Sequence, residues 1–325
     1  MIKQIKLYKS DSLDPYLNLA TEKMLLDTVS DDCFILYLWQ NKNTVVIGRN
    51  QNPWTECKCS LLESEGGKLA RRLSGGGAVY HDIGNLNFTF ICSTENYNLK
   101  KNLEVIKEAC SYAGINAEFS GRNDVLTGGK KFSGNAFYNS QGKSYHHGTL
   151  LISADTEKMQ RYLTPPKAKL ESKGVKSTKS RVVNLSDLSP SLTCEKMAEY
   201  MSSAFERIFE KKSDNDILID PEKQLELSTK YSSWDYLYGT PIPFTYSCEN
   251  HFDWGHINLC FSVKNGIIKS IKAYTDSMDW TLSNKLENVF TESKFYPDFL
   301  KEQIEKNFDS NISNDLKTLI NNLEI

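Results

Sequence analysis

Arg71-Arg72-Leu73-Ser74-Gly75-Gly76-Gly77-Ala78-Val79-Tyr80-His81-Asp82 is the stretch on which the reading turns, with Gly84 and Asn85 just behind it. Three consecutive glycines let a backbone approach a ligand and turn its amides toward it, because no Cβ intervenes. Two arginines lead into them, and a guanidinium group suits phosphate oxygens. The pattern fits the anionic part of a nucleotide. It is not a Walker loop, since no Gly-Lys-Ser/Thr closes it, and no G-x-G-x-x-G opens a helix here. The flanks read as strands: Leu86, Phe88 and Phe90 alternate with Asn87, Thr89 and Ile91, and 82–85 makes a tight turn. The glycines then fall at the start of an antiparallel hairpin. A bulge where two backbones approach closely is the competing reading.

Upstream, Asp14-Pro15 starts a helix with an N-cap acceptor followed by proline, and Leu17, Ala20 and Met24 continue its apolar face. Strands are expected at 33–39 and 44–47, and one helix over 54–65. Downstream, Leu103, Ile106, Cys110 and Ala113 mark a helix stopped by Gly114. Short strands fill 117–152, with turns at Gly128-Gly129 and at 139–142. A short helix covers 155–162, and Thr193 caps a long one carrying Met197, Met201, Ala204 and Phe205. The register breaks near Tyr238-Gly239-Thr240-Pro241. Beyond it a hairpin around Asn265-Gly266 leads into helices at 282–289, 298–307 and 315–323. Two domains are expected, 1–245 and 246–325, the second a small α+β unit.

A chain of 325 residues is long for one core, which agrees with that division. The net charge of −2 excludes a global pull toward nucleic acid or anionic membrane, so any electrostatic effect is local. No stretch is apolar for long enough to span a bilayer, and the N-terminal residues do not read as a signal peptide, so a cytoplasmic location is expected. The eight cysteines are expected to be reduced thiols. Cys57-Lys58-Cys59 is too tight for a zinc knuckle and has no second pair at useful spacing, so no structural metal is expected.

Several residue groups invite chemistry. Lys130 and Lys131 follow the Gly128-Gly129 turn, and strand alternation sends them to opposite faces without saying which face is functional. Asn123-Asp124 is either a turn pair or a ligand for a metal or phosphate. His147 suits a ligand contact or a satisfied core position. Tyr37, Trp39 and Val46 are apolar strand positions fit for a slot or for plain core. The segment 167–181 carries six cations against one acid, Glu171.

The glycine run as a whole resembles the signature of the lipoate–protein ligases. The same family order continues in Val45-Val46-Ile47-Gly48-Arg49-Asn50, Gly121-Arg122-Asn123-Asp124, Gly129-Lys130-Lys131-Phe132-Ser133-Gly134, His146-His147-Gly148-Thr149 and Lys173-Gly174-Val175-Lys176-Ser177. The resemblance runs along nearly the whole chain. It implies an α/β fold with a mixed-sheet catalytic domain of the biotin/lipoate ligase type and a C-terminal accessory domain. It implies two half-reactions: lipoate and ATP, with Mg²⁺, give lipoyl-AMP, and a carrier-protein lysine then takes the lipoyl group as an amide. The implied carriers are the lipoyl domains of 2-oxoacid dehydrogenase complexes and the glycine-cleavage carrier protein.

Residue by residue, the resemblance assigns Arg72, Gly77, Ala78, Val79 and Tyr80 to ATP. Lys131, rather than Lys130, becomes the catalytic lysine that touches nucleotide and lipoate. Trp39, Val46 and His147 fall to lipoate, and Asn123 and Asp124 to the metal or ATP side. It also implies that 167–181 folds over the adenylate. Phe132 stands where a smaller aliphatic residue is common, which bears on pocket shape. Two other readings compete: an acyl transferase of the same fold working through a cysteine thioester, with Cys110 and Cys194 as candidates, and a non-catalytic nucleotide or lipoate sensor.

Overall fold

A computed structural model describes residues 2–120, 123–164, 182–238, 246–321 and 323. The cationic segment 167–181 and Gly121-Arg122 lie outside the described residues. The chain divides into two compact units: 1–47, 54–72 and 78–237 form the first, and 48–53, 73–77 and 238–325 the second.

The first unit is built on an eight-stranded mixed sheet in the order β11-β1-β2-β6-β10-β9-β8-β7. Its strands are β1 (Gln4–Lys9), β2 (Cys33–Trp39), β6 (Asn85–Ser93), β7 (Glu118–Ser120), β8 (Asp124–Thr127), β9 (Lys130–Ser140), β10 (Lys143–Leu151) and β11 (Ser213–Asp214). Only the β11-β1-β2 edge is parallel; the rest is antiparallel. A three-stranded sheet sets β3 (Thr44–Ile47) between β4 (Lys68–Arg71) and β5 (Val79–His81).

One face of the large sheet carries the core. Phe34, Leu36, Leu38, Leu86, Phe88, Phe90 and Leu150 pack there with Val105, Ile106 and Cys110 of α4 (Leu99–Tyr112) and with Met197, Met201 and Phe205 of α6 (Cys194–Phe209). The other face lies against α1 (Pro15–Thr28), whose N-cap Asp14 accepts from the amides of Tyr16 and Leu17. Further helices are α2 (Pro53–Glu56), α3 (Cys59–Ser64), α5 (Thr156–Tyr162), α7 (Pro221–Ser232) and α8 (Trp234–Leu237).

Two local expectations are corrected. The helix expected over 54–65 is split at Cys57-Lys58, because the Lys58 amide donates to the Tyr162 carbonyl and Cys57 bridges Leu163. The turn at 82–85 does not close a hairpin: β5 pairs with β3, whereas β6 pairs with β2 and β10, so the turn passes the chain from one sheet to the other.

In the second unit β12 (Tyr246–Phe252), β13 (Gly255–Lys264) and β14 (Ile267–Thr275) form an antiparallel sheet. Ile257, Leu259 and Phe261 pack against Leu286, Phe290, Leu300, Ile304 and Leu316 of α9 (Leu282–Phe290), α10 (Pro297–Asn307) and α11 (Ser310–Asn321). Asn265 and Gly266 both take positive φ at the turn, as the Asn-Gly pair requires.

Candidate active site

Register sets rows of side chains across the sheet face that meets α1. Tyr37, Thr89, His147 and Ala136 lie side by side. Two residues along come Trp39, Asn87 and Thr149; two the other way come Ile35, Ile91, Tyr145 and Tyr138. Residues in register share a face, so these positions line one surface while their neighbours build the core. The adjacent histidines are parted by this rule. His146 enters the core among Phe88, Phe90 and Phe137, and Asn135 Oδ1 stands 2.8 Å from its Nε2. His147 faces α1.

A buried polar network occupies that surface. Glu22 of α1 is 2% exposed and accepts from the Thr89 hydroxyl and from His147 Nδ1, each at 2.8 Å. The Trp39 indole donates to the same Thr89 oxygen at 3.1 Å, and its ring stacks on Tyr37 at 11°. A carboxylate can be buried here because two donors converge on its Oε1.

Arg72 follows β4 directly and is buried. Its amide donates to Ile47 O and its guanidinium to Val46 O, both at 3.1 Å. Burial pushes its pKa down to about 10, with Tyr145 and Glu22 acting the other way, so it stays cationic at neutral pH. Nearby, His81 Nδ1 lies 3.2 Å from the Asn41 amide nitrogen, and Asn41 Oδ1 in turn accepts from Asn18, which fixes the amide's orientation. His81 therefore accepts at Nδ1 and carries its proton on Nε2. Burial, then the positive charge of Arg72, drives its pKa down to about 3.

Three polar groups are buried without a hydrogen-bond partner among the described residues: the Asn87 amide nitrogen and the Tyr145 hydroxyl on this face, and Nε2 of His81, whose ring on β5 stands edge-on to Trp39. Asn87 Oδ1 already accepts from Asn85, which leaves the nitrogen outward. Buried donors are normally satisfied, and three together ask for acceptor oxygens.

Lys131 owes its direction to a β-bulge. Val125 opposes Ser133 and Leu126 opposes Lys131, so Phe132 is an extra residue on β9. Phe132 packs in the core with Val125. Regular alternation over the three steps from Gly134 would put Lys131 on the core face; the extra residue takes up one step and returns it to the face of Asp124. Its ammonium sits 2.7 Å from Asp124 Oδ1. The side chain lies over Gly134, where a Cβ would stand 3.1 Å from Nζ. Lys130 is exposed at the turn. The pocket-shape concern over Phe132 is thereby removed, since its ring fills the core.

The rest of the signature separates into roles. Arg71 does not sit beside Arg72: its Nε donates to Tyr236 O at 3.0 Å and its Nη2 to Leu237 O, closing the end of α8. Val79 pairs with Val46 and Tyr80 with Val45. The Tyr80 ring turns to Tyr162 and its hydroxyl donates to Asn43, so its side chain is taken up in packing. Ala78 is half-buried just before β5. The Asn123 carbonyl accepts both the amide and the side chain of Asn135.

Within the second unit, the glycines divide. A Cβ on Gly75 would strike the Ser277 carbonyl at 2.3 Å, and the Gly76 amide donates to that same oxygen. The close-approach reading therefore holds for Gly75. A Cβ on Gly77 would meet nothing within 4 Å.

The cysteines proposed for a thioester are badly placed for one. Cys110 is fully buried in the core and Cys194 leans on the Ile83 carbonyl; burial pushes each thiol up to about 12.

Glu22, Thr89, His81, Asn87 and Tyr145 were not singled out from sequence. The available signals were a carboxylate inside an apolar helical stripe and polar residues at alternate positions of an otherwise apolar strand.

A mixed sheet with orphan donors and a lysine–carboxylate pair on one face, and a buried arginine and histidine contributed by the small sheet, is suited to hold a small anionic molecule. The comparisons name the kind. A model described as the lipoyl protein ligase A/B catalytic domain matches residues 14–206, and one described as the bacterial lipoate protein ligase C-terminus matches 242–323. The lipoate-protein ligase A of Bdellovibrio bacteriovorus is 40% identical over 85% of this chain and 84% of its own. The P. falciparum protein LipL1, crystallised with lipoate, superposes with a TM-score of 0.84 at 29% identity, covering 97% of this chain and 99% of that one. A bipartite lipoate protein ligase from Thermoplasma acidophilum, studied with its E2 lipoyl domain, gives 0.64 at 25% identity over 75% and 98%. The chain belongs to the lipoate–protein ligase family.

Proposed function

We propose that the protein activates free lipoate with ATP and passes the lipoyl group to a lysine of a lipoyl-carrier domain. The observation that carries this is the Lys131 ammonium, held on Asp124 above Gly134, on the sheet face that also bears His147 and the orphan groups of Asn87 and Tyr145. Lipoate is a carboxylate on an aliphatic chain ending in a dithiolane. The chain suits the aromatic rows around Trp39 and Tyr37, Val46 of β3 is assigned to it with them, and the buried donors suit anionic oxygens. His147, fixed by Glu22, borders the same rows.

In the first half-reaction a lipoate carboxylate oxygen attacks the α-phosphorus of ATP and pyrophosphate leaves. Both reactants are anionic, so the barrier falls where fixed positive charge gathers, and Arg72 and Lys131 provide it. Ala78, Val79 and Tyr80 are assigned to the nucleotide through their backbone, of which only alternate amides point away from β3, and Gly77, the residue just before them, is assigned with them. Mg²⁺ commonly binds through one or two carboxylates and substrate phosphates, keeping several waters. Asp124, with Asn123 beside it, suits that mode, and the ion supplies charge neutralisation on the polyphosphate.

In the second half-reaction a carrier ε-amine adds to the acyl carbon, its proton is lost, and AMP departs as the acyl–phosphate bond breaks. The carbonyl oxygen gains charge as the amine adds. An ammonium at Lys131 stabilises that state more than the ground state. No protein nucleophile is required.

Carriers of the acyltransferase and glycine-cleavage types and a cytoplasmic location belong to this proposal. Among the described residues no helix is long and apolar enough to cross a membrane. The test is lipoate-dependent ATP–pyrophosphate exchange, followed by mass measurement of a lipoyl domain incubated with ATP and lipoate. Exchange and lipoate-dependent mass gain are expected. Acyl transfer without ATP would point to the transferase, and binding without turnover to the sensor.

A further inference from the structure

Behind the sheet face that carries Lys131, a line of polar side chains runs through the apolar core. Asn102 of α4 and His146 of β10 are fully buried, and Asn135 of β9 nearly so. Register puts His146, Phe137, Asn135 and Gly148 on the core face. Asn135 Nδ2 donates to the Asn123 carbonyl at 3.0 Å, so its Oδ1 is the end that meets His146 Nε2, at 2.8 Å. An amide oxygen only accepts, so the ring carries its proton on Nε2 and its Nδ1 accepts from the Asn102 amide at 3.4 Å. Burial, with His147 acting the same way, holds the ring's pKa down to about 3, so it is neutral and keeps one tautomer. The donors all point one way, from α4 to a single carbonyl, and hydrogen bonds in such a chain polarise one another. Gly148 leaves room for the line: a Cβ there would stand 2.8 Å from Asn135 Oδ1.

We propose that His146 is a positioning residue for Lys131: from the core side of the sheet it sets the Asn135 amide, which locks Asn123 and so fixes where Asp124 and Gly134 hold the ammonium. This rests on the activity proposed above and adds to it a residue that never touches substrate.

The line ends one residue from both supports of the lysine. Asn123 precedes Asp124, which pairs with the ammonium, and Asn135 follows Gly134, over which the side chain lies. Asp124 and Gly134 oppose each other in the ladder. The Asn123 carbonyl takes the Asn135 backbone amide at 2.9 Å as well as its side chain. On the other side of the Asp124–Gly134 pair the ladder is interrupted by the bulge at Phe132. A bulge disrupts pairing locally, so the doubled bond at Asn123 holds the strands in place where the ladder does not. The His146 ring is surrounded by Phe88, Phe90 and Phe137. An apolar side chain at 146 would pack among them without burying polar atoms, and the linked polar groups are explained by the geometry they impose.

The test is a double-mutant cycle read by lipoate-dependent ATP–pyrophosphate exchange. His146→Phe keeps a ring in the core but cannot donate to Asn135. It should lower kcat for exchange about ten-fold, as a small misplacement of a charge stabiliser does, and leave KM for lipoate within about two-fold. His146→Gln can donate from its side-chain amide and should recover kcat to within about three-fold of wild type. In a Lys131→Ala background, His146→Phe should change the residual rate by less than about two-fold, because its effect passes through the ammonium. A merely structural histidine would lower the rate by the same factor in both backgrounds. That result, or an unchanged kcat in His146→Phe, would overturn the proposal. If His146→Phe does not fold, Asn135→Leu, which removes the same side-chain bond to Asn123, takes its place in the cycle. NMR of the imidazole nitrogens in the wild-type enzyme gives a reading free of any substitution: the His146 proton should sit on Nε2, and a proton on Nδ1 would break the line at Asn135 and equally overturn the proposal. Wild-type enzyme without lipoate-dependent exchange would instead sink the activity on which the inference rests, an outcome that the wild-type control alone tells apart.

Discussion

Replacing Lys131 by alanine should separate chemistry from stability. The Lys131–Asp124 pair is short, at 2.7 Å, but each side chain is 37% exposed. Solvent at that exposure screens the pair, and pairs of this kind contribute about 0.2–1 kcal/mol. Loss of it should lower the melting temperature by no more than a few degrees, about 2–4 °C per kcal/mol in a domain of this size. Transition-state charge is another matter: a single well-aimed stabiliser carries a factor of roughly 10²–10³, or about 2.7–4 kcal/mol. Lys131→Ala should therefore depress pyrophosphate exchange by that factor in a protein that melts almost as the wild type does. Lys130→Ala, at the exposed turn, should stay within about two-fold, as surface changes usually do. Exchange rates and melting curves on the two variants decide it. Comparable losses in both, or an activity loss that tracks unfolding, would refute the assignment of Lys131.

Gly134→Ala should leave stability almost unchanged while lowering the exchange rate about ten-fold, because the new methyl pushes on the Lys131 ammonium and a misplacement of a few tenths of an ångström is felt; unchanged exchange would show that Lys131 does not need this seat. His81 and His146 each have a folded pKa near 3, below the unfolded value of 6.5. Their contribution is complete above pH 6.5 and declines on acidification toward pH 3, because the unfolded chain takes the protons first. From pH 7.5 to 5.5 that is about 1.4 kcal/mol for each, so urea melts of His146→Gln should show a pH-dependent loss smaller by about that amount. Cys110→Ala and Cys194→Ala, singly and together, should keep ligation within about three-fold, and intact mass should show no acyl thioester.

What could be read from sequence was whatever depends on near neighbours. Asp14-Pro15 announces α1 through its own side chain, and Asn265-Gly266 announces its turn through φ. Asp220-Pro221 carries the same helix-start signal for α7, but that helix buries little besides Tyr231, so no apolar stripe accompanies the signal. Long-range pairing was not legible. Nothing local in Val79–His81 says that it joins β3 rather than β6, and the break at Cys57-Lys58 depends on amides recruited by residues a hundred positions away. The site divides in the same way. Arg72 and Lys131 were found through motif wording. The buried donors on His81, Asn87 and Tyr145 became visible only once register had put them on one face. Arg71, equal to Arg72 in the sequence, was told apart by where α8 ends.

The bulge in β9 has a consequence for how this family of chains can vary over evolutionary time. Straightening the strand with all four residues from Lys131 to Gly134 kept would turn the lysine toward the core, whereas losing Phe132 would leave the lysine on the Asp124 face and open a hole in the core where its ring packs. Length can change at the Gly128-Gly129 turn without altering either the face of Lys131 or the packing of Phe132. Length variation in this hairpin among relatives should collect at its tip, and the four residues from Lys131 to Gly134 should persist as a unit of fixed count even where their identities drift.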